Sequence, residues 1–99
     1  MLNLDSGQRQ YLRRLAHDLR PVVQIGRQGL TPAVIAAVDT ALLAHELIKI
    51  KFGEFKDEKA DLTEQLTAAT DSTLVGMVGN VAMLFREHPD PSERQIILP

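Results

Sequence analysis

The sequence predicts a compact two-layer α/β sandwich of order α-β-α-β-α-β-β around a mixed four-stranded sheet. Three observations carry that prediction. Apolar residues recur at helical spacing in three separate segments, short β-rich or alternating runs stand between them, and Gly79-Asn80 splits the last apolar stretch into the arms of a hairpin. Strands joined through helices pair in parallel by right-handed crossovers, whereas a hairpin is antiparallel, so the sheet is mixed. With 99 residues and 44% hydrophobic content, the chain is expected to form one domain with one modest core.

Leu12, Leu15, Ala16 and Leu19 repeat at helical intervals behind a cap at Asp5 or Ser6, which predicts a first helix over residues 6–18. Pro21 forbids its continuation. Val22, Val23 and Ile25 form a β-rich run that ends at Gly26. Thr31 then stands as an N-cap with Pro32 at the first helical position. They open a second helix that turns Val34, Ile35, Val38 and Leu42 inward and ends near Glu46. In "LIKIKF", Ile48, Ile50 and Phe52 alternate with Lys49 and Lys51, the period of a strand with one core face and one basic face. The acidic "GEFKDEKAD" is a loop into a third helix, with Leu62, Leu66 and Ala69 on one side and Asp57 as a candidate cap. The tail "HPDPSERQIILP" is broken by proline until Ile96, Ile97 and Leu98, which have the composition to add an edge strand.

Charge is unevenly placed. The chain is net −2, yet residues 1–51 hold seven basic and four acidic residues, and residues 52–99 hold four basic and nine acidic. A local positive face is therefore compatible with an acidic total, and local potential is what attracts a polyanion. Zero cysteines exclude disulfides, thiolate metal sites and a cysteine nucleophile. There is no apolar leader and no run approaching about 18 apolar residues, so a soluble cytoplasmic protein with no membrane partner is expected.

The segment Gly26-Arg27-Gln28-Gly29 falls between a strand and a helix start. Two readings are open: glycines that merely supply a tight turn, the commoner case for an isolated GxxG, or a cradle in which backbone and helix amides meet a phosphate. Basic residues from separate segments favour the second. Arg9 and Arg13 share a helix face, Lys49 and Lys51 share a strand face, and Arg20 and Arg27 flank the first strand. Aromatics for base stacking are scarce, with Tyr11 a candidate and Phe52 and Phe85 reading as core, so backbone and shape recognition is expected. Evidence for an enzyme is thin: the three histidines show no pairing that a helix could turn into a metal site, and no serine sits at a nucleophile elbow. Glu87, His88 and Asp90 are better read as a solvated loop than as metal ligands. No catalytic residue, metal, cofactor or small-molecule substrate is expected. The acidic face of the third helix, around Glu58, Asp61 and Glu64, supports an alternative reading as a protein-interaction adaptor.

The stretch Leu12 to Phe52, with its LAH, IGxxGLT and HELIKIK segments, followed by "VGNVAMLFRE", resembles the CRM family, the chloroplast RNA splicing and ribosome maturation domains. Bacterial members of that family are YhbY-type single-domain proteins. The resemblance spans nearly the whole chain, so residues 1–99 are read as a single CRM-type RNA-binding domain. It implies a fold similar to the C-terminal domain of translation initiation factor three, with an exposed GxxG loop used for RNA. It also implies association with ribosomal RNA in precursors of the large ribosomal subunit and a part in assembly; a monomer is expected. By position, the RNA-binding residues it implies are Gly26, Arg27, Gln28 and Gly29 of the loop, supported by Arg13, Arg20, Lys49, Lys51 and Arg86. This chain departs from the family in being net acidic, with Glu87, Asp90 and Glu93 in its tail.

Overall fold

The computed structural model describes residues 2–99. Within them the order is α1 (Ser6–Ala16), β1 (Pro21–Ile25), α2 (Pro32–His45), β2 (Leu47–Phe52), α3 (Lys59–Thr70), β3 (Thr73–Val78) and β4 (Val81–Phe85), as the sequence predicts. The sheet runs β1-β2-β4-β3, with β1 parallel to β2 and the other pairs antiparallel.

Local chemistry accounts for the element ends. The Asp5 carboxylate accepts the Gln8 amide at 2.7 Å while the Gln8 side chain accepts the Asp5 amide at 3.1 Å, a reciprocal cap that starts α1. The Thr31 hydroxyl accepts the Val34 amide at 3.1 Å, and Pro32 follows at the position that has no use for an N–H. Asp57 does not cap α3. It lies inside a 3-10 turn, Lys56–Glu58, that runs straight into the helix.

Helices α2 and α3 cover one face of the sheet. Val38, Leu42 and Leu66 pack there on Ile25, Ile48, Ile50, Phe52 and Leu84. Helix α1 covers only part of the other face, where Leu12 and Ala16 meet Leu47, Val75, Met83 and Phe85. Each of the larger side chains buried in this way stabilises the fold by about 1.5–3 kcal/mol. Leu15 and Leu19, expected inward, face solvent instead, because α1 ends at Ala16 and only one narrow stripe of it reaches the sheet.

The edge strand β3 is closed off by α1. A bulge between Leu74 and Gly76 exposes carbonyls, and Arg9 Nη1 donates to those of Leu74 and Val75, with Arg13 Nη2 also reaching Val75 at 3.5 Å. Gly76 makes this possible: a Cβ there would stand 2.9 Å from Arg13 Nε.

The tail does not add a strand. Its amides are taken by one carboxylate, that of Glu46, which is only 1% exposed and accepts from His88 at 2.9 Å, Gln95 at 2.6 Å and Ile96 at 3.0 Å. Held in this way, Ile96 and Leu98 pack on the second cluster as irregular chain. Burial pushes the Glu46 carboxyl up, but the three amide donors and the nearby His88 together outweigh it and hold the group below its ordinary range.

A candidate nucleic-acid interface

Strand β1 ends at Ile25, and the four residues that follow close a turn in which the Gly29 amide donates to the Gly26 carbonyl at 3.0 Å. Arg27 and Gln28 form its exposed tip. The two glycines have different reasons to be there. Gly29 is buried at φ +71°, a conformation in which a side chain is strained, so the turn itself requires it. Gly26 has no such φ, and a Cβ built on it meets nothing within 4 Å. The fold therefore places no demand for glycine at position 26. What remains is bare backbone open to solvent, one turn away from the N-terminus of α2 and the positive end of its dipole.

The CRS1 / YhbY (CRM) domain model matches residues 4–86, and that span includes the loop, both lysines of β2 and the final hairpin. The chain belongs to the CRS1 / YhbY (CRM) domain family. It is similar to an "RNA-binding protein" of Haemophilus influenzae, 39% identical over 94% of this chain and 91% of that one. It is likewise similar to "Probable RNA-binding protein YqeI" of Bacillus subtilis, 35% identical over 97% of this chain and 99% of the relative. These relatives are named for RNA binding and not for a reaction. The solution structure of the Staphylococcus aureus protein SAV1595 superposes with a TM-score of 0.80 at 37% identity, covering 98% of this chain and 100% of that one.

In this CRM domain the half of the sheet face not covered by α1 presents two cross-strand rows. Nearest the glycine loop lie Gln24, Lys51, Val81 and Val78, the last 71% exposed. The next row holds Pro21 and Lys49, and ends at Met83, which is already buried under α1. Lys49 Nζ donates to the His17 carbonyl at 3.2 Å, which ties the strand to the end of α1 and fixes the ammonium at the rim of a depression it shares with Arg13 and His17. Arg13, Lys49 and Lys51 are thus brought onto one surface, with Arg27 and Gln28 at the same end of the sheet as Lys51.

Two of the implied residues lie elsewhere. Arg20 precedes Pro21, at the opposite end of the five-residue β1 from Gly26. Arg86 follows β4 at that same far end, beside the start of β2. Its guanidinium is already engaged by Asp39 Oδ1 at 2.6 Å, the Thr70 carbonyl at 2.8 Å and the Asp39 carbonyl at 3.1 Å. Tyr11 packs against the second cluster. The acidic residues Asp61 and Glu64 are exposed on α3, which packs on the other face of the sheet from Lys49 and Lys51.

Phe55 sits beside the loop although sequence reasoning did not single it out. Phe52 and Phe85 are fully buried, whereas Phe55 is 41% exposed with its ring edge 3.5 Å from where a Cβ on Gly29 would stand. One signal pointed to it: a lone aromatic in a charged run has no periodic partners to bury it with.

Proposed function

We propose that this protein is a non-catalytic RNA-binding protein of the bacterial cytoplasm that acts as a monomer and needs no cofactor. It docks on ribosomal RNA of precursor large subunits and assists their assembly. The observation that carries this reading is Gly26, a glycine required by neither backbone angle nor packing, at an exposed turn that opens a helix. Bare backbone there lets a phosphate approach the amides closely, and Arg27 at the tip supplies a mobile charge. The names of the CRM relatives support RNA as the ligand. Lys51, Lys49 and Arg13 extend the contact across the open sheet face. With few phosphate-facing cations and net charge −2, the chain binds weakly to naked RNA and works best on an assembled ribonucleoprotein, where several contacts act together.

The test is sucrose-gradient sedimentation of a bacterial lysate at several salt concentrations, following tagged wild type beside Gly26→Asp. Wild type travelling with large-subunit precursors at low salt, and its loss in the variant, is the expected result. Both proteins remaining at the top of the gradient at low salt would remove the ribosomal reading.

A further inference from the structure

The loop after β2 is tied to the glycine turn. The amides of Gly53 and Glu54 both donate to the Ile25 carbonyl, at 3.0 and 3.3 Å, in the residue just before Gly26. Two positions on, Phe55 takes a left-handed backbone, φ 56° and ψ 39°, which is uncommon for a bulky side chain. The Glu58 amide closes on the Phe55 carbonyl at 3.1 Å and holds that geometry. The effect is to hold one ring edge where a Cβ on Gly29 would meet it at 3.5 Å, while leaving much of the ring in water. Burial does not account for the strain, since the ring is far from fully covered.

The surroundings separate two kinds of ligand. Glu54, Lys56, Asp57 and Glu58 rim the depression in which Phe55 sits, with Arg27 on its loop side. Three carboxylates against the Lys56 and Arg27 cations leave this rim net acidic, which disfavours a phosphate between Glu54 and Glu58. A neutral base is not repelled, and carboxylates accept hydrogen bonds from exocyclic amino groups.

From this we infer that Phe55 is a stacking platform for an unpaired nucleobase whose backbone is held at the glycine turn, with bases carrying an amino group preferred over uracil. The inference rests on the RNA reading above and adds to it a position that selects single-stranded over paired RNA. A base on an aromatic face is a sequence-tolerant contact that depends little on salt, unlike the phosphate contacts of the loop.

The chain has no tryptophan, so Phe55→Trp installs a single fluorescent reporter at the platform. Wild type, Phe55→Leu, Phe55→Trp and Gly26→Asp are titrated with short oligocytidylate, oligouridylate and duplex RNA by fluorescence anisotropy over a salt series. Leucine bears the same backbone strain without a π-face. Expected are a loss of about five- to tenfold in oligocytidylate affinity for Phe55→Leu with an unchanged salt slope, and full affinity for Phe55→Trp with quenching of its indole emission. Tighter binding of oligocytidylate than of oligouridylate is also expected. Unchanged affinity in Phe55→Leu, or indole emission that does not move at saturating RNA, overturns the platform. Should Phe55→Leu fail to fold, the Phe55→Trp emission decides alone. Wild type that binds duplex but not single strands removes the platform and leaves the RNA reading standing; wild type that binds neither also removes the platform, while the gradient experiment alone decides the ribosomal reading.

Discussion

The Arg86 guanidinium and the Asp39 carboxylate meet at 2.6 Å, and the same guanidinium reaches the carbonyl of Thr70, so one side chain joins the end of β4 to α2 and to the last residue of α3. Arg86 is a structural tie before it is anything else. Its side chain is 19% exposed and that of Asp39 is 59%, so solvent weakens the ion pair and the carbonyl bond matters at least as much. Arg86→Met is expected to lower stability by about 1–2 kcal/mol in urea unfolding and to leave the salt slope of RNA binding unchanged.

Glu46 links acid sensitivity to the tail. Its carboxyl is held below the ordinary glutamate value by the amides of His88, Gln95 and Ile96, against the upward push of burial. A carboxyl lowered by folding stabilises the native state fully above its unfolded value, about 4.3, and that contribution is lost as pH falls through the lower folded value. Unfolding midpoints of wild type should therefore drop below about pH 4 more than those of Glu46→Gln, which starts about 2 kcal/mol less stable at neutral pH. Nuclear magnetic resonance of the Ile96 amide should show the tail leaving its carboxylate in the same acid range.

The two loop glycines should separate in experiment. Gly29→Ala is expected to cost about 1–2 kcal/mol, because alanine resists a φ of +71°. Gly26→Ala should change stability by no more than about 0.5 kcal/mol, since its Cβ meets nothing. Gly26→Asp should then weaken RNA binding while the melting temperature stays near wild type.

Lys51 stands exposed on the row nearest the loop. Lys51→Gln is expected to lower the slope of log affinity against log salt by about 0.7 for single-stranded RNA. Stability should be untouched within about 0.5 kcal/mol, which urea unfolding would check.

Thr63 is buried on α3, and its hydroxyl has no hydrogen-bond partner among the described residues. Thr67 and Thr70 on the same helix donate to the carbonyls of Glu64 and Leu66. Thr63→Val keeps the shape and removes the stranded hydroxyl, so a gain of about 1 kcal/mol in thermal or urea unfolding is expected.

The element order was legible because periodicity is a local signal: alternation in "LIKIKF" named the inward and outward residues of β2, and Thr31-Pro32 marked the start of α2. Partners far apart in the chain leave no such trace. Glu46 reads as one more charge at a helix end until the fold brings Gln95 and Ile96 to it across 49 and 50 residues. The same holds for Arg86, whose partner Asp39 lies 47 residues back: its place after β4 sets it at the far end of the sheet, and this long-range tie engages its guanidinium there. Within the loop, spacing alone could not divide the two glycines, since the distinction lies in a backbone angle and in empty space. Phe55 was hidden by its acidic neighbours, which look like a solvated connector in sequence and become a rim in three dimensions.

The arginines that reach β3 from α1 also bear on how copies of this protein behave in a crowded cell. An outer strand with free carbonyls invites another chain to extend the sheet, and Arg9 with Arg13 fills that vacancy from within. At the opposite margin β1 begins with Pro21, which has no N–H to offer, and its register slips before Val23. Both flanks are thereby made poor templates, so a small protein with one broad face uncovered resists joining its neighbours into fibres and keeps that face for its ligand.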